Sequence, residues 1–560
     1  MNKYLKYTFA ALSFVTVATS CGDFGDTNID PEHLNEGNVP YSMVFTNAQH
    51  QALGSDWDVW RNGVIYASQW NQHIACGGWY WDYGLNSFSD GYSSALWDGI
   101  YSGGRGAVRD VTTVMDLWKK QAGMEQNYNI ARIMRVYTMH RLTDLYGDIP
   151  YSEAGRPTLY SYPKYDSQES IYMDMLKELD EAQANLTTGK APVGSQDIYY
   201  GGDVAKWKKF ANSMMLRLAM RLSKVAPDKA KTWVAKAVAN GPIIAVEDNC
   251  YLLHSGGSVN DDSSEPYAKI FTQSDPGTAF INKTFYNILS STNDPRIPLI
   301  MCVVPDNPTA GFSSKNYSYG ISDPSKQKGL PGCYSMGSTS DYFIGKYFDE
   351  LYYEQKIVGK DTIELGNKEL YKEAMPGYYK KIYSQPNRYT YADPQGPTFL
   401  ATAAQTYLLM AEAAKRGWIT GSAKTYYEQG VTAAMKQFAQ FPNGGKLYGQ
   451  YMSDEAIATY LANNPYNDSK AFEQINTQYW ITCFCDEYET FSNWRRSGFP
   501  TLTYPDLYLK PLEGVNHNLS RRFTYPINES QINSAHYKEA VDKLTKGDTF
   551  ESRVWWDVAQ

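Results

Sequence analysis

The sequence predicts an all-α fold of paired helices, broken by one long irregular insertion and led by an export signal. Three observations carry this. Apolar residues recur at helical spacing through most of the 560 residues, often with short connections between successive segments. Residues 242–398 lose that pattern and are rich in Gly, Pro, Ser, Asn and Tyr. Residues 1–21, MNKYLKYTFAALSFVTVATSC, place two lysines before a short apolar run and end on a cysteine.

The N-terminal run from Thr8 to Val17 is too short for a membrane-spanning helix, which needs about 20 residues. It suits the h-region of a signal peptide over residues 1–20. Cleavage before Cys21 would expose its sulfur and amine for lipid attachment, the layout of bacterial lipoproteins, although Ala18 stands where Leu is more usual. The alternative is an ordinary signal peptide cleaved nearby, with Cys21 a bystander. Residues 21–38 read as a polar, flexible tether carrying Asp23, Asp26 and Asp30, acids that resemble the surface-export signal of one group of Gram-negative lipoproteins. Residues 39–560 then form a single helical domain.

Helical segments are expected near 40–54, 93–120, 125–143, 168–187, 203–224, 228–240, 399–416, 422–441, 454–463, 470–490 and 529–545. Within 125–143, Ile130, Ile133, Met134 and Tyr137 share one face; within 203–224, Trp207, Phe210, Met214, Leu218 and Leu222 do. Leu400, Ala404, Tyr407, Ala411 and Ala414 follow a 4-3-4-3 spacing, with alanines that permit close approach of a second helix. The pairs 93–120 with 125–143 and 399–416 with 422–441 give tetratricopeptide-like helix pairs, an α-α superhelix without a strict period. The insertion at 242–398 is expected to carry the ligand-binding side, since long irregular segments on a regular scaffold often carry function.

Composition narrows the function classes. A net charge of −8, from 52 basic and 60 acidic residues with no basic stripe, excludes a nucleic-acid binder. Aromatic content is 15%, with 47 Tyr and 14 Trp, which suits either a sugar- or peptide-binding surface or a wet, helix-packed core. Of seven cysteines, Cys21 is assigned to lipid; Cys76, Cys250, Cys302, Cys333, Cys483 and Cys485 are scattered, without a CxxC pair or Cys/His zinc spacing. They read as buried apolar residues, with Cys483 and Cys485 on different faces of a helix, and no metal or other cofactor is expected.

Three stretches punctuate the helices. In Leu142–Ala154, Gly147 takes a left-handed helix end and Pro150 stops continuation. Asp144, Asp148 and Glu153 there read either as paired hydrolytic acids or as turn caps paired with arginines such as Arg141. In Ser520–Asn533, Asn528 with Gln531 suggests a capping box. In Gln478–Pro500, Arg495 and Arg496 sit beside Trp494, suited to a cation–π contact or plain packing.

Together these stretches resemble the SusD/RagB family of outer-membrane nutrient-binding lipoproteins. The matching segments are Asp144–Ala154, Trp207–Leu222, Asp294-Pro-Arg-Ile-Pro298, Tyr407–Ala413, Trp480…Glu487…Trp494-Arg-Arg, and Arg522–Pro526 with Glu529 and Asn533. The resemblance implies an all-α fold with tetratricopeptide-like pairs, a cell-surface place on the outer membrane, binding of glycans or peptides without catalysis, and a SusC-like TonB-dependent transporter as partner. It carries over no ligand-contacting residue.

Those residues have to come from physics. The densest aromatic run outside the helical patterns is Gln69–Tyr83, where Gly77 and Gly78 let the chain turn. Trp79, Tyr80, Trp81 and Tyr83 are expected to offer stacking faces, and Gln69 and Asn71 to bond ligand hydroxyls. The competing reading is that this loop packs on the N-terminal helix through Trp57 and Trp60. Tyr317, Tyr319, Tyr334 and Tyr342 in the insertion are weaker candidates. Two rival functions remain at this stage. A secreted helical-barrel glycoside hydrolase would need two carboxylates about 5–10 Å apart across a cleft; no pair stands out and no GxSxG motif occurs. A structural surface lipoprotein would lack an aromatic-lined concavity.

Overall fold

The computed structural model describes residues 40–101, 106–187, 189–257, 262–330, 332, 353–358, 361–366, 379–503 and 519–559. For 353–358, 361–366, Gly78, Trp79, Trp81 and Tyr379 it describes the backbone alone. The signal peptide, Cys21, the tether, Cys333, Tyr334 and Tyr342 lie outside the described residues.

Six helices follow one another, each packed on the next: α1 (Tyr41–Ala52), α2 (Ala107–Trp118), α3 (Glu125–Tyr146), α4 (Gln168–Asn185), α5 (Val204–Arg221) and α6 (Pro227–Ala239). After the insertion, α7 (Ala403–Lys415) lies against α5 and pairs with α8 (Ala423–Lys436). Then α9 (Asp454–Asn463) packs on α8, α10 (Ala471–Thr482) on α7, and α11 (Glu487–Ser497) on both α10 and α3. Both expected pairs form, and the architecture is an almost wholly helical stack of packed hairpins.

Local chemistry sets the ends. Ser167, Asp203, Ser422 and Ser453 each accept a backbone N–H at a helix start. Thr402 and Gln405 form a reciprocal capping box on α7. Gly147 closes α3 at φ +90°, a region closed to most side chains. The α7–α8 contact is tight: a Cβ added to Gly430 would come 2.7 Å from Leu408 Cγ. The expected capping box at Asn528 is absent, because Asn528 has helical dihedrals and its side chain caps nothing.

Short antiparallel ladders brace the insertion, the first to a segment outside it and the other two largely within it. Ile74–Cys76 pairs with Ala279–Ile281, Cys250–Leu253 with Pro397–Ala401, and Met301–Val303 with Ser384–Pro386. It also holds the helix Lys283–Ser291. One continuous core runs from Phe45 to Trp556.

Burial departs from a simple amphipathic reading on α3. From Asn129 to Tyr146 every residue is buried, including Arg132, Arg135, Arg141 and Asp144, so α3 is a central helix rather than a one-faced one. Its polar residues are consumed internally. Asp144 is paired with Arg221 and takes the Tyr172 hydroxyl; Arg141 instead donates to the Ala52 carbonyl and stacks on Tyr488. Asp148 bonds Gln168 N–H and Lys543, and Glu153 accepts from Lys164 N–H. Arg521, not Arg495 or Arg496, covers the Trp494 ring at 5.0 Å, while Arg495 lies over Phe491 and Trp556. Cys483 and Cys485 fall between α10 and α11, Cys485 at φ +66°, so they share no helix. Cys76, Cys250, Cys302 and Cys483 are buried.

The buried charges set a pH profile. Ion pairing with Arg496 holds Glu412 down at about 2, and pairing with Arg221 and Arg217 holds Glu489 at about 2, each against burial. Both pKa values lie below the unfolded Glu value of about 4.3, so their stabilisation is present above it and is lost as pH falls toward 2. Burial lowers His140 to about 3, so stability is also lost as pH drops below its unfolded value of about 6.5. Burial raises Glu265 to about 7 and Asp486 to about 6; their effect has the opposite sign and favours the fold as pH falls from 7 to about 4. The thermal midpoint is therefore expected to change little between pH 7 and about 4.5 and to fall steeply below. Circular-dichroism melts across that range check it; an unchanged midpoint at pH 3 would contradict the assignment.

Candidate ligand-binding face

The segment after Ser55 begins with a capping box between Ser55 and Asp58 and continues as a π-helix over Val59–Ala67. Such wide turns are rare and recur at functional sites. The chain then runs through the short strand Ile74–Cys76, and Gly77 N–H donates to the Thr278 carbonyl. Directly after, Gly78–Leu85 winds into a 3-10 helix, where the sequence pattern suggested only an irregular loop.

This arrangement lines up a row of rings. Trp57 meets Trp60 at 5.3 Å between centroids, and Trp60 meets Tyr80 edge-on at 5.2 Å. Tyr80 lies 6.5 Å from Tyr83, which packs at 5.3 Å on both Tyr92 and the fully buried Tyr66. Arg61 is wedged between rings, 5.2 Å from the Trp57 centroid and 5.5 Å from that of Tyr92. Its Nε has no hydrogen-bond partner. Trp57 is 50% exposed, and Tyr80 and Tyr83 are half-buried, so ring faces reach solvent from a packed base. Burial, and after it the Asp275 carboxylate, pushes the Tyr80 hydroxyl up to about 12, which keeps it a neutral hydrogen-bonding group at neutral pH.

The expected site residues divide. Tyr80 and Tyr83 belong to the row. The backbones of Trp79 and Trp81 lie in the same 3-10 helix. Gln69 and Asn71 do not face a ligand. Gln69 is 3% exposed; it donates to the carbonyls of Ile65 and Tyr80 and accepts from Cys76 N–H, clamping the aromatic turn from behind. Asn71 is fully buried and donates to the carbonyl and carboxylate of Glu487 at the start of α11. Both amides are spent on the scaffold because the chain around them is helical and internal, not looped outward.

Trp57, Arg61 and Tyr92 are contributors that sequence reasoning missed as a surface. The spacing Trp57-Asp-Val-Trp60-Arg61 was the available signal, since three and four residues apart share a helical face. In the insertion, Tyr319 stacks on Tyr389 at 4.3 Å and 17°, while Tyr317 is covered by Arg388 at 4.7 Å.

Nothing in this face resembles a hydrolytic centre. Glu265 and Asp486, which burial raises to about 7 and about 6, border an internal cavity of about 30 Å³, room for a water rather than a glycosidic bond. His140, Asp144 and Glu489 converge within 4.8 Å, but Arg221 pairs with both carboxylates and Arg217 lies 3.7 Å from Glu489. Those guanidiniums already supply the positive charge a metal ion would bring.

Comparison with known proteins decides the family. The SusD-like family described as "Starch-binding associating with outer membrane" matches residues 37–526. The chain belongs to the SusD-like family. Solved structures agree over nearly the whole chain. It is similar to a chitin-binding protein, 28% identical with a TM-score of 0.73, covering 93% of this chain and 100% of that one. It is also similar to a Bacteroidetes SusD-like protein, AC2a, 27% identical with a TM-score of 0.76 and the same coverage. A SusD-like protein from Bacteroides thetaiotaomicron shares the fold at 23% identity and a TM-score of 0.67, covering 93% of this chain and 99% of that one. No curated protein matches the sequence. As a SusD-like protein this is a nutrient-binding, non-catalytic protein of the cell surface that works with a SusC-type transporter. It is associated with the outer membrane, and among the described residues no helix is long and apolar enough to cross a membrane.

Proposed function

We propose that the aromatic row binds an oligosaccharide and hands it to a SusC-like TonB-dependent transporter, on which this protein sits as a lid, tethered to the outer membrane through a lipid on Cys21. The observation that carries the ligand class is the row from Trp57 to Tyr92, with Arg61 between its rings. Sugar rings present C–H faces that stack on aromatic planes, and their hydroxyls accept from a guanidinium. Trp79 and Trp81, in the same 3-10 helix as Tyr80 and Tyr83, are assigned to the same ligand. Chitin oligosaccharides are the first glycans to try, because a relative covering 93% of this chain is chitin-binding.

The lipid-free protein is tested against a panel of glycans and peptides. Trp79→Ala, Trp81→Ala and Trp57→Ala are each expected to weaken glycan binding by about tenfold, the loss of ~1.4 kcal/mol for one stacking face. Thermal midpoints should stay near wild type. A sharp fall in the midpoint would identify the residue as packing instead. Preference for peptides across the panel would overturn the glycan assignment.

A further inference from the structure

A second cleft, of about 460 Å³, opens between α2, α3 and α4, and none of its lining residues belongs to the aromatic row. Its volume falls within the range of small-molecule sites.

Its chemistry follows from which charges are already spent. Asp116 is held by Arg156 through two hydrogen bonds of 2.8 Å. Glu178 is held by Arg132 at 2.7 and 3.0 Å. Asp166 accepts from the backbone and hydroxyl of Ser152 and lies 3.6 Å from Lys164. These acids are locally neutralised.

Arg135 is not. It is 8% exposed and lines the cleft, yet among the described residues no carboxylate pairs with it. Its Nη2 donates to the Tyr151 carbonyl at 2.6 Å, and its plane lies 4.7 Å over the Tyr151 ring. Its Nε is buried without a partner, and the bond from Nη2 is the one hydrogen bond its guanidinium makes among the described residues. A buried guanidinium with unmade hydrogen bonds is costly unless something supplies acceptors. Exposed Lys119 adds a second positive charge at the rim. Against them stands Asp174, which takes the Tyr151 hydroxyl on Oδ2 at 2.7 Å and has no partner on Oδ1 among the described residues. Asp174 is the one lining acid with no cationic partner among the described residues, set against Arg135 and Lys119, which suits one added negative charge better than two. A planar guanidinium matches a carboxylate. The free Asp174 oxygen suits a hydroxyl, and the half-buried Tyr128 ring at the same cleft suits a sugar face.

We propose that this cleft is a second binding site, one for a small acidic sugar, with Arg135 receiving its carboxylate. The proposal does not depend on the aromatic row, and the test separates them. Calorimetric titrations of the lipid-free protein use glucuronate, glucose, acetate and inorganic phosphate as probes. Glucuronate is expected to bind, more weakly as salt rises; glucose and acetate, each holding half of the recognised groups, should bind at least about tenfold more weakly. Arg135→Gln should lose about tenfold or more, Arg135→Lys should fall between, and Lys119→Ala, at an exposed position, should lose about threefold. The Trp79→Ala/Trp81→Ala double variant should bind glucuronate as wild type does. Should Arg135→Gln fail to fold, Lys119→Ala and the probe series decide. Equal binding of glucose, equal binding of acetate, tighter binding of phosphate, no binding of glucuronate, or its loss in the tryptophan variant would each overturn the proposal.

Discussion

Replacing Glu412 by Ala is expected to destabilise the fold by about 3–5 kcal/mol, the cost of leaving a buried charge unpaired. Glu412 on α7 receives Arg496 of α11 through two bonds of 2.7 Å, Nη1 to Oε1 and Nη2 to Oε2. Arg416 adds a bond of 2.8 Å to Oε1 and Asn476 of α10 one of 3.1 Å to Oε2. Both Glu412 and Arg496 are 1% exposed, so water cannot take over either role. Without the carboxylate, the partners of Arg496 among the described residues are Asn476, Asn493 and Ser223, all neutral. The pair also sets geometry, since it fixes α7 against α10 and α11 and so positions Asn71 and the turn behind the aromatic row through Glu487. Urea unfolding measures the loss. Replacing both partners by apolar residues of similar volume, Glu412→Leu with Arg496→Met, should recover most of it, because the desolvation penalty of both charges disappears together. A loss below about 1 kcal/mol in the single variant would show that the pair is not the clamp described.

Much of the helical half was legible because it is built from strong local signals. Most periodic segments became helices with ends displaced by a few residues, as fraying and capping allow, but 93–120 breaks into Ala95–Tyr101 and α2, 470–490 divides into α10 and α11, and 529–545 forms only the short helices Glu529–Ile532 and Ser534–Val541. Periodicity says little once a helix is enclosed on all sides. On α3 the polar residues Arg141 and Asp144 read in sequence as local turn partners, but both are buried, and their partners, Ala52, Tyr488 and Arg221, lie far away in the chain. The same long-range pairing hid the roles of Gln69 and Asn71. An amide beside tryptophans suggests a ligand contact, yet Asn71 bonds Glu487, more than four hundred residues away. The aromatic row was half legible: Tyr80 and Tyr83 stand in it, while Trp57, on the turn capped by Ser55, and Arg61, on the π-helix that follows, are brought beside it by a local geometry that the sequence pattern does not show.

Cys21→Ser is expected to abolish lipid attachment altogether. The thiol is the atom that would carry the first chain, and the serine hydroxyl is a far weaker nucleophile. Energetics make the effect all-or-none in the cell. A single acyl chain binds a bilayer with K of ~10⁴ M⁻¹, a marginal ~5.5 kcal/mol, and two or three chains multiply that affinity until release is negligible. Nothing else described in the chain substitutes for them, since no helix among the described residues is long and apolar enough to insert. On the proposed arrangement the anchor would also govern the lid: a tether over residues 21–38 would hold the protein beside the barrel, so that each reopening would be followed by an intramolecular return at an effective concentration far above that of free protein. Metabolic labelling with a lipid probe should mark the wild type and leave the Cys21→Ser variant blank. Pull-down in mild detergent should recover a large barrel protein in comparable amount with the wild type and less with the variant, whose contact lacks the tether. Equal labelling of the two would remove the lipid anchor, and recovery of the wild type alone would remove the transporter from the proposal.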